Sequence, residues 1–156
     1  MKKHLIDGEE LAGLLGFQIQ MANLHVIEQA RSALKEFQIS PAKLTALLLI
    51  RDNPGCEQSA LGRALSINRA SAMKLVNILA DRNLIERRPG RDLRSNALHL
   101  TERGRVELAP MALTLREADD AATAALSTHE RANLLRLLNK LRQAKAGRER
   151  LDRSRS

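Results

Sequence analysis

The chain has 156 residues and a net charge of +8, from 26 basic and 18 acidic side chains. That length allows one domain, or one globule with an appended interface. A single cysteine excludes an intramolecular disulfide framework and fits a reducing compartment.

With two Phe and neither Trp nor Tyr, the core must come from Leu, Ile, Val, Ala and Met, which favours helix packed on helix. The opening MKKHLIDGEELAGLLGF is not a signal peptide, because acidic residues interrupt its apolar run. No uninterrupted apolar stretch approaches the ~18 residues of a membrane span. A soluble, cytoplasmic protein is expected.

Asp7 to Phe37 predicts one long helix, with Glu9 and Glu10 at its positive end. Leu11, Leu15, Ala22, Val26, Ala33, Leu34 and Phe37 keep an apolar stripe over several turns. A helix that long needs more than a small globule to cover it, and a second copy of the chain is the simplest cover. Ser40-Pro41 starts the next helix, as N-cap and first helical residue. Leu44, Leu47 and Leu48 form its buried face, and Asp52-Asn53-Pro54-Gly55 stops it.

A pair of short helices follows, Glu57 to Ala64 and one opened by Asn68, turned at Leu65-Ser66-Ile67. In the second, Ala72, Leu75, Val76 and Leu79 repeat at helical spacing and predict a buried face. The opposite face carries Arg69, Ala70, Ser71, Met73, Lys74 and Asn77, with no carboxylate before Asp81. A short-chained, basic helix face backed by a packed partner suits the major groove of double-stranded DNA. Ile85 to Arg87 and Ala97 to Leu100 predict two strands, with Pro89-Gly90 marking the bend of RRPGRDLRSN. That hairpin sets Arg87, Arg88, Arg91 and Arg94 against Asp92. A basic hairpin beside such a helix can straddle phosphates and place an arginine in the minor groove.

Thr101 caps a second long helix, Glu102 to about Leu126, in which Pro110 is expected to make a kink. Its run Ala121 to Ala125 offers small side chains for close helix approach. Ser127 and Glu130 form a capping box, and Leu134, Leu135, Leu137, Leu138 and Leu141 stripe the last helix. From Arg142 onward there is no hydrophobic period, which predicts a frayed or disordered basic tail. The charge is uneven: residues 1–40 hold 4 basic and 5 acidic groups, 41–100 hold 10 and 5, and 101–156 hold 12 and 8. The excess begins at the helix pair and hairpin, as a footprint on phosphate requires.

The segments SALGRALSINRASAMKLVNILADRNLIERR, RDLRSNALHLTERGR and LSTHERANLLRLLNKL together resemble the multiple-antibiotic-resistance regulator (MarR) family, over about Leu11 to Leu141. The resemblance implies a mainly α fold with a small β-wing: a winged helix-turn-helix whose terminal helices form a dimerisation domain. The expected division is 1–39 and 102–144 for dimerisation, 40–101 for DNA binding, and 145–156 as a flexible tail. It also implies a short strand at Gly55-Cys56. Leu93 departs from the family, where many relatives carry another arginine.

Arg69 is the first candidate for a base contact, since a guanidinium bonds bidentately to guanine, with phosphate clamping as its plainer role. Lys74 reaches base or phosphate, Ser71 and Ser59 can meet phosphate, Ala70 can pack on a thymine methyl, and Asn68 caps the helix. Arg88 and Arg91 are expected on phosphates. The resemblance gives Asp92 the task of orienting a wing arginine and Arg94 the minor groove. It also implies an effector cleft by the dimer helices, for an aromatic acid or acyl-coenzyme A thioester. Met21, His25, Glu28, Arg31 and Ser32 are its candidate lining.

His4, His25, His99 and His129 lack ligand spacing, so neither metal nor other cofactor is expected. Cys56 is read as a small buried hydrophobe. The function expected is a homodimeric, ligand-responsive repressor on a pseudo-palindromic operator. The alternative is a constitutive architectural DNA binder. No nucleophile–base set or phosphate loop argues for an enzyme.

Overall fold

The computed structural model describes residues 8–90 and 96–153, with side chains described except at 96 and 144–153. Asp7, Arg91, Asp92, Leu93 and Arg94 therefore lie outside the described residues. The chain divides into two compact units, Met1–Asp119 and Asp120–Ser156.

The first unit begins with helices α1 (Glu9–Ala12) and α2 (Leu15–Ala33), then a 3-10 turn, Leu34–Phe37. The single helix expected from Asp7 to Phe37 is thus broken at Gly13-Leu14. Leu14 is extended (ψ 112°) and serves as the start of α2. Gln18 restores some of the lost bonding, donating from Nε2 to the Ala12 carbonyl at 3.0 Å. Glycine has the weakest helix propensity of any residue but proline, so a break costs least there. The apolar stripe is also only partly buried: Leu34 is enclosed and Val26, Ala33 and Phe37 are half-buried, whereas Leu11, Leu15 and Ala22 are exposed.

Next come α3 (Pro41–Asp52), β1 (Cys56–Glu57), α4 (Gln58–Ala64), α5 (Arg69–Asp81), β2 (Ile85–Pro89), β3 (Asn96–Leu100) and α6 (Glu102–Ala122). The Ser40 side chain accepts from the Lys43 amide and Pro41 holds the first helical position, the opening predicted for α3. The three strands form one antiparallel sheet in the order β1-β3-β2. Cys56 lies opposite Leu98, Ile85 opposite Leu100, and Pro89 opposite Asn96. The bend therefore does not start at Pro89: β2 runs two residues past its expected end, and Pro89 is tolerated as a terminal strand residue.

Leu44, Leu47, Ile50, Leu61, Val76, Leu79, Leu84, Ile85, Leu98, Leu100, Leu108 and Met111 form one core. Each fully buried Leu or Ile contributes about 1.5–3 kcal/mol relative to exposure. Two close approaches set the shape around it. At Gly62 in α4 an added Cβ would lie 3.2 Å from Ala72 Cβ in α5. At Gly104 in α6 it would lie 2.0 Å from the Leu84 carbonyl oxygen. Thr101 ties that second junction, donating to Asn83 O at 2.6 Å and accepting from Gly104 N at 2.9 Å. Arg82 supplies a further tie, donating to Gln38 O at 2.9 Å and Phe37 O at 3.1 Å across 44 and 45 residues.

In the second unit α7 runs Thr128–Arg153. Ser127 and Glu130 make the predicted capping box, with Glu130 Oε2 accepting from Ser127 N at 2.8 Å and Ser127 Oγ from Glu130 N at 3.3 Å. The Ser127 hydroxyl, donating to Glu130 Oε2 at 2.7 Å, and after it the Ser127 amide hold the Glu130 carboxyl below its ordinary range. Two expectations need correction. α6 ends at Ala122, so Thr123 to Ala125 form a turn in place of a close-packed helix face. α7 stays helical through Arg153, where a frayed end was expected. Its last turns are rich in Arg, Ala, Glu, Leu and Lys, all residues of high intrinsic helix propensity. Leu134, Leu135, Leu137 and Leu141 are exposed.

Among the described residues, no helix is long and apolar enough to cross a membrane.

Candidate nucleic-acid interface

Helices α4 and α5 meet at a turn in which Ser66 takes a left-handed backbone (φ 54°). The Ile67 amide closes back on Gly62 O at 3.0 Å. Asn68 then opens α5 with its Oδ1 accepting from Ser71 N at 2.8 Å. Ala72, Val76 and Leu79 are buried, which fixes the rotation of the helix about its axis. Arg69, Ala70, Ser71, Met73, Lys74 and Asn77 are all exposed on the other side. Six positions thus form one acid-free face over about two and a half turns, on a helix anchored to the core from behind. No aromatic or β-branched side chain stands on that face, and a major groove admits an α-helix.

The wing strand contributes differently from the expectation. Along β2, Glu86 and Arg88 share a face, and Arg88 donates from Nε and Nη2 to Glu86 Oε1 at 2.8 and 2.5 Å. Arg88, expected to meet phosphate, is therefore paired with an exposed carboxylate that a phosphate contact would have to displace. Arg87 points the other way and donates from Nη2 to Asn77 Oδ1 on α5. Ser59 is exposed at the start of α4, but its hydroxyl donates to Glu57 Oε2 at 3.1 Å. Contact between Ser59 and a phosphate requires that hydroxyl to turn away from the carboxylate. Arg91, Asp92 and Arg94, the remaining wing candidates, lie outside the described residues.

Away from this face, Met21, His25, Glu28, Arg31 and Ser32 are exposed along α2. They recur at helical spacing on neighbouring faces, without enclosing a cavity by themselves. A cavity of ≈ 350 Å³ lies within the second unit, lined by residues that include Thr123, Arg131 and Leu135, with Arg131 paired to Asp120 at 3.2 Å. Cys56 is half-buried against a ≈ 150 Å³ hollow with Leu49, Ala60 and Leu61. Burial pushes its thiol pKa up, opposite to what a reactive cysteine requires. The described residues hold no group of three or more His, Cys, Asp or Glu able to hold a metal ion.

A family model described as MarR family matches residues 37–95. A protein of Thauera aromatica, named as a candidate transcriptional regulatory protein for the hcr operon, is 35% identical over 139 residues. The match spans 88% of this chain and 83% of that protein. The chain belongs to the MarR family. Among solved structures, the transcriptional repressor CouR bound to a 23-mer DNA duplex matches with a TM-score of 0.82 and 31% identity, over 88% of this chain and 99% of that one. CouR bound to p-coumaroyl-CoA matches with a TM-score of 0.76 and 30% identity, over 88% and 97%.

The winged helix-turn-helix read from the sequence is the fold of this MarR protein, and MarR proteins are DNA-binding transcription regulators. Sequence reasoning missed the two side-chain ties, Arg87 to Asn77 and Arg82 to the end of the 3-10 turn. Each joins residues on different elements, ten or more positions apart. No periodicity within one helix or strand carries such a signal.

Proposed function

We propose that this MarR protein is a cytoplasmic, homodimeric repressor that acts by binding alone, releasing a pseudo-palindromic operator when a small acidic effector occupies it. The observation that carries the reading is the acid-free face of α5, exposed from Arg69 to Asn77 beside a basic strand and backed by the core. Arg69 reads a guanine edge, Lys74 and Ser71 extend the contact, Ala70 meets a thymine methyl, and Asn68 sets the helix start. Ser59, Arg88 and Arg91 serve phosphates, and Asp92 orients Arg94 into the minor groove.

Residues 1–39 and 102–144 form the dimerisation part around the reading head, 40–101. The exposed leucines of α1, α2 and α7 are the faces that a second copy covers. Two-fold symmetry then places half-sites about one helical turn apart. Met21, His25, Glu28, Arg31 and Ser32 face the effector across that interface. The existence of CouR complexes with DNA and with p-coumaroyl-CoA, at 31% and 30% identity, supports an acyl-coenzyme A thioester as the effector class. Such an effector acts by favouring a spacing of the two heads that no longer fits successive major grooves.

The test is selection of genomic fragments by purified protein at near-physiological salt, repeated with p-coumaroyl-CoA and a pool of aromatic acids and acyl-coenzyme A thioesters. One recovered pseudo-palindrome, lost on adding a ligand, is the expected result. Unsorted fragments, indifferent to every ligand, would replace this reading with a constitutive architectural binder.

A further inference from the structure

Arg87 and Asn77 come from different elements and meet at the seam between recognition helix and wing. Ile85 lies opposite Leu100 and Arg87 opposite Leu98, and residues two apart on a strand share a face. Ile85, Leu98 and Leu100 are buried, so this is the face turned to the core. Arg87 is the first β2 position on it to pass the edge of the core, and it is exposed. There its guanidinium donates to Asn77 Oδ1. Asn77 in turn follows Ala70, Met73 and Lys74 at spacings of seven, four and three, so it ends the acid-free part of the exposed stripe of α5, one turn before Asp81.

From these positions we infer that Arg87 is a phosphate clamp on the DNA strand between the two grooves, and that Asn77 is the positioning residue that holds it there. This rests on the DNA-binding reading above. A helix in a major groove and a wing in the adjacent minor groove must straddle one phosphate strand, and the seam between them faces that strand. A guanidinium has five N–H donors in a fixed fork. One bond to a neutral amide fixes the plane of the fork without cancelling its charge. Arg88, one residue on, differs in this respect: its partner Glu86 is a carboxylate.

The test uses the full chain and a labelled mixed-sequence duplex, with binding measured from 50 to 200 mM salt. Each phosphate neutralised contributes a slope of about −0.9 to log K against log salt. Arg87→Ala should flatten the slope by about 0.9 for each head on the duplex. Arg87→Lys keeps the charge and should keep the slope. Asn77→Ala should also keep it, while lowering affinity roughly three- to tenfold through loss of the orienting bond. Arg116→Ala, which removes an equal exposed charge from α6, should change neither.

An Arg87→Ala slope equal to the parent's overturns the clamp. An equal flattening by Arg116→Ala overturns it too, since general charge then accounts for the effect. A parent chain with no salt-dependent affinity for duplex overturns the DNA-binding reading itself. Circular dichroism of each variant separates loss of binding from loss of fold.

Discussion

Gly104→Ala sets two effects of opposite sign against each other. In an exposed helix interior the change to alanine stabilises by about 0.8–1.0 kcal/mol. At this position the new Cβ would stand 2.0 Å from Leu84 O and 2.9 Å from Leu84 C. Both atoms are backbone, so no flexible side chain can swing aside. Relief requires moving the start of α6 away from Leu84 by more than an ångström. That motion strains the two bonds across the junction, Thr101 N to Leu84 O at 3.1 Å and Thr101 Oγ1 to Asn83 O at 2.6 Å.

Overpacking costs about 1–3 kcal/mol, and each hydrogen bond lost adds about 0.5–1.5. The helix-propensity gain offsets only part of this, leaving a net loss of about 1–5 kcal/mol. Urea unfolding at one fixed protein concentration reads it, because a dimer's apparent stability depends on concentration. Retained slope with a lowered midpoint is the expected result. A variant as stable as the parent, or more so, would refute the argument that this glycine is required for close approach.

The other tie and the cysteine give two further tests. Arg82→Ala removes both donors to Phe37 O and Gln38 O. With the site partly solvated, it should cost about 1–2 kcal/mol and raise hydrogen exchange at the 3-10 turn; unaltered exchange there would show the tie to be idle. Burial raises the Cys56 thiol pKa, so the thiolate forms only at higher pH than in an exposed cysteine. Its reaction with a disulfide reagent should be slower than that of a denatured sample at pH 7 and rise at more alkaline pH; equal rates at pH 7 would contradict its burial.

Local patterns in the sequence carried the reading head well. Asn68, the repeat Ala72-Val76-Leu79 and the exposed Arg69-to-Asn77 face lie within one helix, where spacing alone fixes which side is buried. The caps at Ser40 and Ser127 were equally legible, because each bonds a partner three residues on, Lys43 and Glu130. Errors arose where short-range preference competed with something else. The apolar stripe continued through Gly13-Leu14 although the backbone does not. Pairing with Asn96 carried β2 through Pro89 despite the turn signal. The tail after Arg142 has no hydrophobic period yet has the composition of a helix.

The order of the sheet also bears on how the head comes into being. β3 is the middle strand but the last in the chain, and β1 must wait from Cys56 until Leu98 for its partner. At a synthesis rate of about 5–20 residues per second, that interval is roughly 2–8 s on the ribosome. The local contacts of α3, α4 and α5 can form early, while sheet closure comes late. A nascent chain that stops before Asn96 therefore has a recognition helix without the strand that completes its support, and the head is assembled only when the wing has been made.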